Sequence, residues 1–157
     1  MREAWRIVKV KHAAVAFDGE GARLNGGRWN SVGVRAIYVS ATKSLAALET
    51  LVHLKLPVIS KYVAIPIQFD DALVETFPHA NLPAGWDAEP PPPDSQHIGD
   101  AWVKAARSAL IALPSVITGE TNYLLNPAHP DFPKISIGKP EPFTFDPRLL
   151  TFKHALK

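Results

Sequence analysis

The chain of 157 residues contains no cysteine. This absence excludes a disulfide framework, a thiol nucleophile and a thiolate metal site. It also fits the reducing cytoplasm, where we expect the protein to act. The six histidines are scattered along the chain without the spacing of metal ligands. The sequence therefore predicts no metal centre.

Long apolar runs and an excess of one charge are also missing. No stretch approaches the roughly 18 consecutive apolar residues that cross a bilayer. The N-terminus, MREAWRIVKVKH, is basic but lacks the apolar core of a signal peptide. Lys and Arg number 17 against 15 Asp and Glu, for a net charge of +2. We therefore expect neither a membrane protein nor direct binding of nucleic acid.

The residues that are present predict one α+β domain over 1–157, because 46% of them are hydrophobic and the length suffices for a core. The 15 prolines favour short strands and ordered loops towards the C-terminus. A cap at Ser40 or Thr42 is expected before the clearest helix. The predicted strands are 5–10, 34–40, 60–69 and 109–118, the predicted helices are 43–56 and 99–109, and the predicted long loops are 17–33 and 78–99.

Glu49 interrupts the apolar stripe of the predicted helix 43–56. At about 100° per residue, Leu45 and Val52 lie on one stripe, and Glu49 falls inside it, one turn before His53. Burying a carboxylate without partners costs several kcal/mol. Two interpretations remain open on this feature alone. Glu49 is structural, either in an ion pair, for which His53 is a possible partner, or with its carboxylate reaching solvent at the edge of the stripe; or it lines a functional cleft.

A Gly-Gly-Arg turn precedes this helix in the sequence. Backbone N–H groups at Gly26 and Gly27 can form an anion-binding concavity. Arg28 adds a planar fork suited to phosphate. The motif is neither a Rossmann fingerprint nor a P-loop, and an ordinary surface arginine is the alternative interpretation.

Tyr38 lies on the strand between the turn and the helix. It shares a strand face with Ala36 and Ser40, whose small side chains leave room for a flat ring against the tyrosine. The alternative is a half-buried tyrosine without a functional role. The order of the three features, an arginine at a glycine turn, a tyrosine on the next strand and a glutamate on the next helix, is more informative than each one alone.

The segment GARLNGGRWNSVGVRAIYVSATKSLAALETLVH resembles the RES-domain family, the toxin half of bacterial Xre–RES toxin–antitoxin systems. The resemblance continues through WDAEPPPPDSQHIGDAWVKAARSALIALPSVI and NYLLNPAHPDF and so covers nearly the whole chain. It places the family's arginine at Arg28, its tyrosine at Tyr38, its glutamate at Glu49 and its serine at Ser115. Asn126 is a further candidate within the LLNP segment.

The resemblance implies an ADP-ribosyltransferase-like split β-sheet around a cleft for NAD⁺, the substrate. Glu49, Arg28 and Tyr38 would be catalytic, and the expected NAD-binding residues are Arg28, Tyr38, Gly27, Ser115 and Asn126. The implied reaction is NAD⁺ cleavage by a glycohydrolase or phosphorylase, with transfer of ADP-ribose to a protein acceptor as the alternative. The implied partner is an Xre-type DNA-binding antitoxin that covers the active site. A non-catalytic antitoxin-binding module is the rival of another class.

Overall fold

A computed structural model describes residues 1–155, and within that range eight strands form one mixed sheet. The strands are β1 Arg2–Lys9, β2 Ile37–Ser40, β3 Tyr62–Phe69, β4 Val74–Thr76, β5 Leu110–Pro114, β6 Thr121–Leu125, β7 Ser136–Ile137 and β8 Glu141–Phe143. Their order is β4-β5-β6-β2-β1-β3-β7, and β8 also pairs with β3. Only β4 and β5 run parallel in this described sheet. The α+β prediction is confirmed.

Four α-helices accompany this sheet within residues 1–155. They are α1 Glu20–Asn25, α2 Lys43–Leu51, α3 Pro93–Ala105 and α4 Pro147–Ala155. Single 3₁₀ segments occupy Val10–Val15, Asp71–Leu73, His79–Asn81 and Phe132–Lys134. No helix in the described part of the chain is both long and apolar enough to span a bilayer.

Helix α2 begins as predicted but ends earlier. The Thr42 hydroxyl accepts from the Leu45 N–H at 3.1 Å, so Thr42, and not Ser40, is the cap. The helix ends at Leu51, five residues before the predicted end. The chain turns there, which lets Leu54 and Val58 pack on the cluster under β1 and β3. Pro57 therefore follows a turn that tertiary packing has already set.

The two predicted long loops each contain helical residues. In 17–33, α1 follows Gly19 at φ 76° and carries an ion pair between Glu20 and Arg23 at spacing i,i+3. In 78–99, α3 starts at Pro93, where a proline fits the first helical position because that N–H has no intrahelical partner. The last of four consecutive prolines thus begins a helix inside the segment 78–99, which the sequence predicts as a loop.

The sheet opens between its two central strands. β1 and β2 pair only at Trp5 and Ser40. By contrast, β1 pairs with β3 over eight positions and β2 pairs with β6 over four. The sheet therefore consists of two well-paired halves joined at one point, and a cleft forms where they separate.

Apolar clusters on both faces hold the two halves in place. Helix α3 buries Trp102 against Ile111 and Leu124. Helix α2 packs Ala46 against Ile7 and the neighbouring residues of β3. Each large aliphatic side chain buried in this way contributes about 1.5–3 kcal/mol. The strand ends and the helix that border the cleft are thus fixed from behind by packing.

Candidate active site

The opening between β1 and β2 is a cleft of about 800 Å³. Four of the residues predicted for the site line it: Gly27, Arg28, Tyr38 and Glu49. They come from the loop after α1, from β2 and from α2. The fold therefore gathers into one cavity residues that span 23 positions of sequence from Gly27 to Glu49.

Glu49 points into the cleft with one carboxylate oxygen held and the other unbonded within the described residues. Its Oε1 accepts from the Ser115 hydroxyl at 2.7 Å and from the Asn122 amide at 2.8 Å. Both donors are neutral, so they fix the carboxylate without cancelling its charge. No ion pair to Glu49 occurs among residues 1–151, whose side chains the structure describes. The structural ion-pair interpretation is therefore wrong, and the cleft interpretation of Glu49 is the one the geometry supports.

Ser115 and Asn122 are themselves oriented by neighbouring groups. The Ser115 oxygen accepts from the Ile117 N–H at 3.1 Å, which directs its own hydrogen towards Glu49. The Asn122 carbonyl oxygen accepts from the Ser40 hydroxyl at 2.7 Å, which turns its NH₂ group towards the same carboxylate. Because Ser40 and Asn122 are paired across β2 and β6, the sheet register sets this geometry. Ser115 is 2% exposed and acts behind Glu49.

Arg28 borders the cleft from the loop after α1 and is bound by the connector 78–92. Its Nη1 donates to the carbonyls of Trp86 and Ala88, both at 2.8 Å. Its Nη2 forms an ion pair with Glu89 at 2.9 Å. The Arg28 side chain is only 15% exposed, whereas that of Glu89 is 74% exposed. The connector is thus a surface loop, as expected, but it also forms a wall of the cleft.

The glycine turn does not offer the N–H groups that the sequence analysis predicted for an anion. The N–H of Gly26 donates to Ala22, and that of Gly27 donates to Asn30. Gly26 has φ 68°, a backbone conformation that favours glycine. Gly27 is needed for a different reason: a Cβ there would lie only 2.6 Å from the Tyr38 hydroxyl oxygen. The prediction that the Gly27 N–H binds an anion is wrong, because that group already closes the turn.

Tyr38 holds this turn through its hydroxyl. The hydroxyl donates to Asn30 Oδ1 at 2.6 Å and accepts from the Trp29 N–H at 3.0 Å. Burial raises the pKa of the Tyr38 hydroxyl well above its usual value, and the charge of Asp100 adds to the effect. Tyr38 therefore stays protonated. Its ring borders the cleft while its polar end positions the Arg28 loop.

Asn126 does not reach the cleft. It is 1% exposed, its amide donates to the Val103 carbonyl at 3.3 Å, and its Oδ1 accepts from the Ala128 N–H at 3.0 Å. These contacts tie the end of β6 to α3. The assignment of Asn126 to NAD binding is corrected to a structural role, since both polar ends of its side chain are used inside the protein.

Two residues of the site were missed from the sequence. Asn122 lies in the same NYLLNP segment as Asn126, and only its pairing with Ser40 across the sheet, which the sequence does not show, distinguishes the two. Arg6 interrupts the apolar strand WRIVKV and also lines the cleft. Burial lowers the pKa of Arg6 to about 10, so it remains a cation at neutral pH.

The described part of the cleft has one bordering histidine and no cluster of metal-ligating side chains. His53 borders it from the turn after α2 but is exposed. Among the side chains of residues 1–151, no group of three or more His, Asp or Glu is arranged to hold a metal ion. The chemistry that the described residues offer is therefore a fixed carboxylate and two arginines within one aromatic-lined cleft.

Comparison with known proteins defines the class. A solved Mycobacterium tuberculosis toxin–antitoxin complex, MbcT–MbcA, contains a chain that superposes on 98% of this chain and 87% of its own length, with a TM-score of 0.75 and 18% identity. That likeness shows a shared fold. The family model described as the RES domain matches residues 3–146. The chain therefore belongs to the RES-domain family.

Curated relatives match over more than nine-tenths of both lengths. A Sphingobium protein named "Prs ADP-ribosylating toxin" is 43% identical over 155 residues, covering 93% of this chain and 95% of the relative. A Yersinia enterocolitica protein named "Toxin Res" is 36% identical over 148 residues, covering 92% and 97%. The family resemblance noted in the sequence is thus confirmed, and these relatives are toxins.

Proposed function

We propose that this chain is the toxin of a toxin–antitoxin pair and that it consumes NAD⁺ by cleaving the nicotinamide–ribose bond. The observation that carries the proposal is the Glu49 carboxylate, fixed by Ser115 and Asn122 and keeping one oxygen for a ligand in the cleft. The name of the Sphingobium relative supports the same substrate, since ADP-ribosylation uses NAD⁺.

The reaction needs a negative charge beside the nicotinamide ribose. The nicotinamide ring of NAD⁺ is cationic, so it leaves as a neutral molecule with the electron pair of the C–N bond and needs no general acid. Positive charge then develops on the ribose, as in glycoside cleavage. Glu49 stabilises that charge and accepts hydrogen bonds from ribose hydroxyls. When water attacks C1′ and loses its proton, the products are ADP-ribose, nicotinamide and H⁺.

The opposite wall of the cleft orients the substrate. The Tyr38 ring offers an aromatic face for the cationic nicotinamide. Arg28 reaches a ribose or phosphate oxygen by exchanging its exposed partner Glu89 for the substrate. Gly27 keeps this wall close to the tyrosine because no Cβ intervenes. The cleft is open to one side, which lets an acceptor reach C1′ after nicotinamide leaves.

Transfer of ADP-ribose to a protein is the second candidate. The observation that favours it is the name of the Sphingobium relative, which states an ADP-ribosylated acceptor, Prs. The cleavage step and the role of Glu49 are the same in both candidates, and only the nucleophile differs. Water or phosphate gives a small product, whereas a protein side chain retains the ADP-ribose.

One experiment separates these outcomes. The purified chain is incubated with NAD⁺ labelled in the adenylate phosphate, in three buffers: without phosphate, with phosphate, and with cell lysate. Free ADP-ribose identifies hydrolysis, ADP-ribose phosphate identifies phosphorolysis, and a labelled protein band identifies transfer. Absence of nicotinamide release in all three would refute both enzyme proposals and leave the non-catalytic module.

The partner proposed for this chain is an antitoxin of the Xre type that covers the cleft in the cytoplasm. The solved complex with the same fold contains a toxin and an antitoxin, which supports a partner of this kind. Co-purification of the chain with the product of an adjacent gene, together with loss of NAD⁺ consumption in the complex, is the expected result. A complex that consumes NAD⁺ at the full rate would contradict the covering of the cleft.

A further inference from the structure

Arg6 is a cation of the cleft whose hydrogen-bonding capacity is largely unused. It lies on β1 and lines the cavity. Its Nη1 donates to the Tyr38 carbonyl at 2.8 Å, while its Nε is sealed from solvent without a partner. No carboxylate lies within ion-pair distance of Arg6 among residues 1–155, and Asp18 acts on it only through the longer-range field.

A guanidinium carries five N–H donors and no acceptor. Buried cations are normally paired, and a buried polar atom without a partner requires an explanation. Within the part of the chain that the structure describes, Arg6 Nε is the single buried side-chain nitrogen or oxygen atom of this kind. Nε is closed to a ligand, whereas Nη2 has no partner within the described residues and is not sealed. An anionic ligand at Nη2 would supply the negative charge that the buried guanidinium lacks.

A purely structural role accounts for only one of the five donors. Tyr38 lies two residues before Ser40, where β2 still meets β1, so its carbonyl faces the opening and has no partner on β1. Arg6 satisfies that carbonyl. This contact anchors the guanidinium at the join between the two halves of the sheet, and it leaves the N–H groups that are not sealed, those of Nη2 above all, for a ligand.

The other arginine of the cleft is occupied. Arg28 is bound by two carbonyls and by Glu89. Of the two arginines that line the cavity, Arg6 alone lacks a carboxylate partner in residues 1–155. A planar fork matches two phosphate oxygens at once, whereas a carbonyl or hydroxyl uses only one donor. The unused donors of Arg6 therefore favour a phosphate group.

We propose that Arg6 is the residue of this cleft that binds the diphosphate of the dinucleotide substrate. The assignment rests on the proposed function for the identity of the substrate, and on the geometry of Arg6 for the anion. It replaces Arg28, which the sequence pointed to as the phosphate ligand, with a residue on β1. Arg28 is left to act at the nicotinamide end, beside Tyr38.

The test compares the binding of ligands that differ in their phosphates. ADP-ribose, inorganic diphosphate and adenosine are titrated by chemical-shift perturbation into the wild type, Arg6→Met and Arg6→Lys. ADP-ribose keeps the diphosphate but has no nicotinamide to release. Arg2→Met is the matched control, since Arg2 lies on the same strand and outside the cleft. Thermal unfolding of each variant checks its fold.

Arg6→Met should weaken ADP-ribose and diphosphate about 10- to 100-fold, as expected for charge-assisted hydrogen bonds, and leave adenosine within about twofold. Arg6→Lys should lose less, because it keeps the charge but not the fork. Arg2→Met should bind all three ligands like the wild type. If Arg6→Met does not fold, a loss of at least about threefold for diphosphate in folded Arg6→Lys, with adenosine unchanged, supports the assignment.

Two results would overturn the assignment. One is unchanged affinity for ADP-ribose and diphosphate in the Arg6 variants. The other is an equal loss for adenosine, which would mean that Arg6 only shapes the cleft. The proposed function is tested separately. If the wild type binds diphosphate through Arg6 but releases no nicotinamide from NAD⁺, the anion site is supported and the proposed reaction is refuted.

Discussion

The charged residues on the two walls of the cleft differ in the charge of their hydrogen-bond partners. Glu49 is held by a hydroxyl and an amide, both neutral, so its negative charge remains available to a ligand. Arg28 is held by two carbonyls and a carboxylate, so much of its positive charge is cancelled. The Glu49 wall rests on sheet register, whereas the Arg28 wall rests on a connector. We infer that the first wall is built for the reaction and the second for entry and orientation.

The largest effect is expected at Glu49. Glu49→Gln keeps the shape and the hydrogen-bond acceptor of the side chain but removes its charge, so nicotinamide release from NAD⁺ should fall by at least about 100- to 1000-fold. Release is measured by chromatography. Glu75→Gln, a glutamate of β4 outside the cleft, should retain wild-type activity. Wild-type rates in Glu49→Gln would contradict the assignment.

The donors behind Glu49 should give the next largest effect. Asn122→Ala removes one of the two hydrogen bonds that fix the carboxylate, and kcat should fall about 10-fold with little change in KM. Adding Ser115→Ala should cost less than the two separate losses combined, because both donors hold the same oxygen. Exposed Asn81→Ala is the control. A rise in KM alone would show that Asn122 binds substrate instead of positioning Glu49.

Tyr38→Phe probes the contact between the two walls. The change leaves Asn30 Oδ1 and the Trp29 N–H without their hydroxyl partner, so the free energy of unfolding should fall by about 1–3 kcal/mol. Denaturant titration measures this fall. Activity should drop only several-fold, since the aromatic face remains. Tyr123→Phe, a buried tyrosine outside the cleft, should lose less stability, and an equal loss in both variants would argue against a special role of the Tyr38 hydroxyl.

The smallest effect is expected at Glu89. Glu89→Gln frees Arg28 from an ion pair whose carboxylate is largely exposed. Pairs of this kind are worth at most about 1 kcal/mol, so the KM for NAD⁺ should fall by no more than about fivefold while kcat stays unchanged. Glu3→Gln, exposed on β1, is the control. A higher KM would mean that Glu89 itself contacts the substrate.

Features of the site that follow local sequence patterns were predicted more accurately than features that depend on tertiary contacts. The helical period identified Glu49 as a charged residue within an apolar stripe, and residue type named Thr42 as one of two expected caps, the one that the structure has. The end of α2 and the start of α3 were wrong, because packing of Leu54 and a proline at the first helical position decided them. These are tertiary and positional effects that composition alone does not reveal.

The partners of the charged residues could not be predicted from the sequence. The contact between Glu49 and Asn122 joins residues 73 positions apart, and that between Arg28 and Glu89 joins residues 61 apart. Such pairs depend on strand order and on the path of the connector. Arg6 was overlooked for the same reason, since only the separation of β1 from β2 turns a strand arginine into a residue of the cleft.

The most direct test of the account is a crystal structure of Glu49→Gln with uncleaved NAD⁺ bound. We predict that the side chain at position 49 lies within hydrogen-bond distance of the nicotinamide ribose, with the ring against Tyr38 and the diphosphate at Arg6. Dinucleotide bound outside the cleft, or bound with adenine in place of nicotinamide beside residue 49, would contradict the account.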